Sequence, residues 1–358
     1  MSRRSFLLPL LLLLSALLTG CPKQETLGSS AMGVLGPGVV NNPKNKSLRF
    51  DILKFGLDRF CMEMTRRGAP LKLADDQPVI GRFFAQSCNQ TVIDDDSRKS
   101  LVVQYSGKGY GWTNLTGRIG FTATGLTEYA PDFQLDDDGA MYIYFRPRKV
   151  DATNFQTTLV ESALARGGIA LTGTNPDQVG RQIVESQLRR GFTVIRYNSD
   201  GETDFAIGYV PKGQKPFKPF YIKSERLTLA NDRTEVQSGQ QDFIGGFEVE
   251  DSGKAFYLTM SADGAPAVDV FVVPKFLGDQ MIQHYVTNAG PAALSQAPLL
   301  DEPLVAGQPW KRFVRVPKGQ YYVVIDHTPQ VGRTAPPAVT GDNRAVKVDY
   351  VVQVDDAP

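Results

Sequence analysis

Alternation of apolar and polar residues with a period of two, broken repeatedly by glycine and proline, constrains this 358-residue chain more than any other feature. A β-strand sends successive side chains to opposite faces, so a two-residue period marks a half-buried sheet. Leu101, Val103 and Tyr105 follow it, as do Ile119, Phe121 and Ala123. Met141, Ile143 and Phe145 take one face while Tyr142 and Tyr144 take the other. The composition agrees: 20 Phe and 13 Tyr favour pleated surfaces, and 34 Gly and 23 Pro favour tight turns. The length exceeds what one core commonly serves, which predicts two domains.

The texture of the chain changes at 211–219, Pro-Lys-Gly-Gln-Lys-Pro-Phe-Lys-Pro. Beyond it, strand-like runs occupy 226–230, 242–249, 255–262, 267–273, 310–316, 321–328 and 345–354, with one helical stretch at 277–288 and Pro-rich loops at 291–309 and 329–337. Turn-punctuated strands in this number predict an antiparallel sandwich over 223–358.

Before the boundary, helical periods mix with strand periods. Residues 48–67 carry Phe50, Leu53, Leu57, Phe60 or Cys61, and Met64 at three- and four-residue spacing, an apolar helix stripe that Gly68 and Pro70 terminate. Ile80, Phe83, Phe84 and Cys88 predict a second helix over 79–90. Further helices are expected at 153–166 and 176–190, the latter opened by Asn175 and Pro176 and closed by Gly191. Residues 192–197 and 204–210 read as a hairpin across Ser199-Asp200-Gly201. The expected fold class is therefore an α+β domain over 47–222, an antiparallel twisted sheet with packed helices, followed by the all-β sandwich. Asp94 to Asp96 and Asp136 to Asp138 lack the ligand offsets of a calcium loop and read as solvated turns. The glycine-rich stretch 107–111, without a following Lys-Ser/Thr and helix, also reads as a turn.

The first twenty residues are read differently. Arg3 and Arg4 form a basic head, and residues 6–18 an apolar run of about 13 residues, where a membrane-spanning helix needs about 20. Leu18-Thr19-Gly20-Cys21 behind it resembles the lipobox of bacterial lipoproteins. The resemblance implies cleavage of 1–20, a diacylglycerol on the Cys21 thiol and acylation of its new α-amine, and several acyl chains hold a protein stably at a membrane. Pro22 stands where an aspartate would retain the protein at the inner membrane, so the outer membrane, facing periplasm or outside, is the expected location. Ser2-Arg3-Arg4-Ser5-Phe6-Leu7 also resembles a twin-arginine export signal, with an ordinary basic head as the other reading. Residues 21–46, rich in Gly, Pro, Ser and Asn, form a flexible tether.

With Cys21 lipidated, Cys61 and Cys88 remain in an oxidising compartment, which points to a disulfide. Closing a loop of about 28 residues contributes roughly 3 kcal/mol. Free buried thiols are the alternative; a metal site would need CxxC or His spacing that is not there. No cofactor is expected.

Chemistry is sparse. His284 and His327 are the sole histidines and read as a helix-face and a turn residue. There is no GxSxG, P-loop, HExxH or strand-borne GxGxxG motif, and the adjacent pair Asp75-Asp76 says nothing about two carboxyls facing across a cleft. Losing Arg3 and Arg4 from 39 basic residues leaves 37 against 38 acidic ones, which gives nucleic acid no electrostatic hold.

Two more resemblances bear on fold. Val316-Pro317-Lys318-Gly319-Gln320-Tyr321-Tyr322-Val323-Val324-Ile325-Asp326 resembles the strand pair of bacterial pre-peptidase C-terminal and similar jelly-roll accessory domains, implying an accessory role for about 224–355. Residues 47–222, through Gly139-Ala140-Met141-Tyr142-Ile143-Tyr144 and the element order, more faintly resemble periplasmic lipoproteins of the tubular lipid-binding type. That likeness implies a sheet wrapped around a helix, with Phe50, Leu53, Leu57, Phe60, Ile119, Phe121, Ile143 and Phe145 as candidate lining of an apolar groove. The expectation is a non-catalytic, membrane-anchored interaction module of the cell envelope whose partner is another envelope protein or a glycan, with a carrier of lipid or another amphiphile as the alternative.

Overall fold

The computed structural model describes residues 38–57, 59–113, 117–162, 176–197, 203–223, 225–336 and 345–358. The apolar stripe of the first helical segment is divided between α1 (Lys46–Leu57) and α2 (Phe60–Arg66). After the short strand β1 (Ala69–Lys72) come four long antiparallel strands, β2 (Val79–Asp94), β3 (Lys99–Thr113), β4 (Gly117–Leu135) and β5 (Met141–Val160). The longest has 20 residues, which at about 3.3 Å each reaches roughly 65 Å. Strands of this length twist, and register shifts at Ala85/Ser87, Gly120/Phe121, Thr124/Leu126 and Glu128/Tyr129 bend them further. Helix α3 (Pro176–Arg190) and the hairpin β6 (Phe192–Arg196) and β7 (Thr203–Ile207) complete this part.

The remaining elements are β8 (Leu227–Val236), β9 (Gln240–Val249), β10 (Lys254–Asp263), β11 (Ala267–Pro274), α4 (Lys275–Thr287), β12 (Leu300–Val305), β13 (Trp310–Val316), β14 (Gly319–His327) and β15 (Val346–Asp356). They form two facing sheets. One, β12-β11-β14-β9, has four strands; the other, β13-β10-β15-β8, continues through β2 into β3-β4-β5-β6-β7, making an eleven-stranded mixed sheet with β1 attached to β2. The join between β8 and β2 is parallel and rests on one register pair, Val79 with Thr234. The chain is thus mostly β, and the sandwich expected after the boundary is present.

Three of the four apolar clusters among the described residues hold these layers, the fourth lying under the β6–β7 hairpin around Tyr142, Tyr144, Ile195 and Ala206. Phe256, Leu258, Val268, Val270, Trp310, Val323, Ile325, Val348 and Val352 fill the sandwich. Phe50, Leu53, Phe83, Tyr105, Phe121, Tyr129, Phe133 and Phe145 pack α1 and its neighbours against the long strands. Between them lies a seam where Phe84 and Tyr110 of the long strands meet Phe243, Phe271, Tyr322 and Val324 of the four-stranded sheet and Leu277, Met281 and Tyr285 of α4.

Several expectations are corrected. Residues 79–90 form β2, not a helix, because the first half of this strand, 79–85, is buried on both faces: Phe83 belongs to the helix-side cluster and Phe84 to the seam. A doubly buried strand loses its polar alternation and can imitate a helical stripe. Residues 153–160 continue β5, held by pairing with 119–124 of β4, and 163–166 lie outside the described residues. The glycine-rich stretch 107–111 is the interior of β3. The loop expected at 291–309 contains β12. The tip Ser199-Asp200-Gly201 lies outside the described residues, as do the signal segment and much of the tether.

Candidate functional site: a basic cleft at the seam

Where α2 ends, the chain must pass close to the four-stranded sheet. Gly246 permits this: its φ is +89°, and a Cβ there would lie 1.8 Å from the Arg66 carbonyl oxygen. The Gly68 N–H donates to the Gly245 carbonyl at 3.0 Å, fixing the segment on β9. From the other side, α4 approaches β14 across Gly278, where a Cβ would stand 2.2 Å from the Tyr322 ring. These two close approaches frame a cleft of about 290 Å³ lined by Thr65, Arg66, Arg67, Phe84, Ala85, Gln86, Lys108, Lys275, Asp279 and Tyr322.

Its floor is aromatic. The Phe84 and Tyr322 rings meet edge to face with centroids 5.9 Å apart, a favoured aromatic geometry. Its rim is cationic. Arg66 is held by Glu63 at 3.1 Å and Glu248 at 2.9 Å, and Lys275 by Asp279 at 2.6 Å. Arg67 and Lys108 differ, since neither forms a salt bridge among the described residues. The Arg67 guanidinium lies 5.7 Å from the Phe247 ring centroid and donates from Nη1 to the Leu229 carbonyl at 3.2 Å. Lys108 Nζ donates to Gln283 Oε1 at 2.7 Å, and burial lowers its pKa against the pull of Asp279. The Tyr322 hydroxyl donates to Asp279 Oδ1 at 3.0 Å, and burial, then Asp279, raises its pKa, so it stays a neutral donor.

Below the cleft a buried polar network ties the layers. Arg82 on β2 makes two 2.8 Å bonds to Asp242 on β9, and both side chains are almost fully buried. Tyr110 donates to Asp242 at 2.7 Å and accepts from the Phe243 N–H at 2.9 Å; Arg82 also donates to the Tyr350 hydroxyl at 3.2 Å. Burial, the largest influence on Asp242, would push its carboxyl up, but Arg82 and the hydroxyls around it outweigh that and hold it below the usual range.

The residues singled out from sequence fall elsewhere. Cys61 and Cys88 form a disulfide with Cα atoms 5.2 Å apart, joining α2 to β2, a helix to a strand instead of two helices. Phe50, Leu53, Leu57, Phe60, Phe121, Ile143 and Phe145 are packed in the helix-side cluster, where Phe60 touches the Tyr129, Phe145 and Phe192 rings; Ile119 is buried outside that cluster. None of the eight lines the cleft. His284 is exposed on α4 and His327 is buried at the end of β14. Asp94 pairs with Lys54 and Lys99, Asp95 accepts from Ser97 and Arg98 in a turn, Asp136 pairs with Lys212, and Asp75 accepts from the Phe217 N–H. Cys21 lies outside the described residues.

Sequence reading missed the cleft because its residues come from α2, β2, β3, α4 and β14, separated by up to 257 positions from Thr65 to Tyr322. The local signals available were the Arg66-Arg67 pair before a helix-ending glycine and a lysine between glycines, Gly107-Lys108-Gly109.

No protein-family model matches the chain, and no curated protein matches it. Among solved structures, that of infectious bursal disease virus Gt strain is 14% identical, covers 80% of this chain and 73% of its own, and superposes with a TM-score of 0.20. The Gx strain structure (11% identity, 84% and 85% coverage, TM-score 0.14) and the VP2 subviral particle of the same virus (10%, 84% and 84%, 0.13) are similar in the same slight degree. Superpositions with such TM-scores carry no argument about fold or function.

Proposed function

We propose that this protein is a lipid-anchored protein of the bacterial cell envelope, held at the outer membrane through Cys21, that works as a non-catalytic interaction module with the basic cleft as its working surface. The observation that carries the reading is the described lining of that cleft: cations, an aromatic floor and one carboxylate, groups suited to holding a partner. The Cys61–Cys88 disulfide supports an oxidising compartment, and the lipobox-like Leu18-Thr19-Gly20-Cys21 supports the anchor. The partner is another envelope protein, a glycan or a smaller anionic group; the near-neutral charge disfavours nucleic acid.

Residues 47–222 serve in this reading as an α+β unit and 223–358 as the sandwich unit. Separate apolar clusters on the helix side and within the sandwich support that division.

Metabolic labelling with an alkynyl palmitate tests the anchor. Wild-type chain should take up label and sediment with membranes, and Cys21→Ser should do neither. Label retained by Cys21→Ser, or wild type found wholly in the soluble fraction, would remove the anchor from the proposal.

A further inference from the structure

Four cationic side chains converge on the cleft, but they are not equivalent. Two are already spent: Arg66 between Glu63 and Glu248, Lys275 on Asp279. Arg67 uses one of its five N–H donors on the Leu229 carbonyl. Lys108 faces a neutral amide oxygen of Gln283. Two cations therefore border one cleft with no carboxylate at salt-bridge distance among the described residues, over an aromatic floor of Phe84 and Tyr322. Charge attraction strengthens where the surroundings are less polar. The arrangement is held by the glycine contacts at Gly246 and Gly278, so the cations are positioned by backbone packing before anything binds.

Two further observations narrow the occupant. Helix α4 starts at the cleft with Lys275, and its N-cap, Pro274, offers no side-chain hydrogen bond, so the positive end of the helix is uncapped there. Asp279 is the one carboxylate among the described lining residues; its two oxygens accept from Lys275 and Tyr322, each with a second lone pair left for a hydroxyl in the cleft. A fork of donors, an ammonium group and one acceptor suit an oxyanion carried beside a hydroxyl. The cleft, about 290 Å³, has room for a body the size of a phosphorylated three-carbon polyol.

We propose that the cleft binds a phosphate ester of a small polyol, with Arg67 and Lys108 on the phosphate oxygens and Asp279 accepting from a neighbouring hydroxyl. The proposal rests on the cleft being the working surface described above, and it adds the ligand class. The same chemistry exists as a soluble ester and as the headgroup of an anionic phospholipid.

The test is calorimetric titration of the full chain, purified in non-ionic detergent at low salt. The probes are sn-glycerol 3-phosphate, glycerol, and nanodiscs of phosphatidylglycerol or phosphatidylcholine. Binding of glycerol 3-phosphate, of phosphatidylglycerol, or of both, with none of glycerol or phosphatidylcholine, is the expected result; which of the two binds identifies the source. Arg67→Ala and Lys108→Ala should each weaken binding about tenfold, and Lys311→Ala, an exposed cation on β13, should leave it unchanged. Arg67→Gln removes the charge while keeping most of the side-chain stem at an exposed position and should weaken binding with a thermal midpoint close to wild type, which separates lost affinity from lost folding. Absence of binding to both phosphate probes, or equal affinity in wild type, Arg67→Gln and Lys108→Ala, would overturn the site. Anion binding by a chain that fails palmitate labelling leaves the site and removes the anchor; a labelled chain that binds neither phosphate probe does the reverse.

Discussion

Asp326 and Asp269 stand opposite each other on β14 and β11, both fully buried. Asp269 accepts from the Arg333 and Thr334 N–H groups and the Thr334 hydroxyl; Asp326 accepts from Gln241 at 2.6 Å and from the Thr328 hydroxyl and N–H. Burial, reinforced by Asp269, pushes the Asp326 carboxyl up to about 7, against the pull of Gln241 and Thr328. A carboxyl raised in the folded state binds its proton more tightly there than in the unfolded chain, whose value stays near 3.8. Its stabilising contribution is therefore complete below about pH 4 and lost as pH rises toward 7, at most about 1.4 kcal/mol per pH unit. Asp242 has the opposite sign: its depressed carboxyl contributes stability at neutral pH that is lost on acidification. Urea unfolding of wild type and Asp326→Asn between pH 4 and 8 should show the wild type losing stability relative to the variant as pH rises, with the difference levelling off above pH 7. Parallel curves across that range would contradict the assignment.

At the scale of elements, the disulfide does more than close a loop. Cys61 sits on α2, whose end carries Arg66 and leads into Arg67, and Cys88 sits on β2, four residues beyond Phe84. The bond thus ties the cationic rim of the cleft to its aromatic floor. The loop between the cysteines spans 27 positions, so removing the bond should cost about 3 kcal/mol in the chain-entropy picture. The double variant Cys61→Ser/Cys88→Ser should show that loss as a lower denaturant midpoint with a somewhat larger m-value, since the unfolded chain freed of its crosslink is less compact and exposes more surface. An unaltered midpoint would mean that α2 is held by its apolar contacts alone. The pairing was legible from the cysteine count, but its partner element was not. A helix was expected at 79–90 because Ile80, Phe83, Phe84 and Cys88 imitate a helical stripe, and only burial on two faces explains why a strand carries so many apolar neighbours.

Over the whole molecule, the seam is the structural event. The eleven-stranded sheet crosses from β8 to β2 through one parallel register pair, too little to couple its halves, so coupling falls to side chains. Tyr110 stacks edge to face on Phe243 and Tyr285, with centroids 6.0 and 5.0 Å apart, and Arg118 lies 3.9 Å from the Tyr285 ring while donating to the Asn288 and Gly290 carbonyls. Together with the Arg82–Asp242 pair these contacts join the long-strand part to the sandwich. Calorimetry of the full chain should therefore show a single heat-absorption peak, and Tyr285→Ala, which empties the centre of the seam, should split it in two. Large-to-small substitutions of buried aromatic residues cost about 3–5 kcal/mol, enough to uncouple the halves. Two peaks in wild type, or one undivided peak in the variant, would show that the seam does not carry the coupling.

What local spacing decides was readable in the sequence. The strand-like run 310–316 predicted β13, and an apolar stripe between Pro176 and Gly191 predicted α3, because each signal lies within a few residues and reports a face turned toward a core. The all-β sandwich followed from strands of that kind punctuated by turns. Tertiary structure alone decided that 79–90 and 153–160 are strands, since their pairing partners lie in separate strands of the chain. It also decided the cleft. Thr65 and Tyr322 become neighbours only when Gly246 lets the end of α2 reach β9 and Gly278 lets α4 settle on Tyr322, and sequence spacing holds no record of contacts made at such distance.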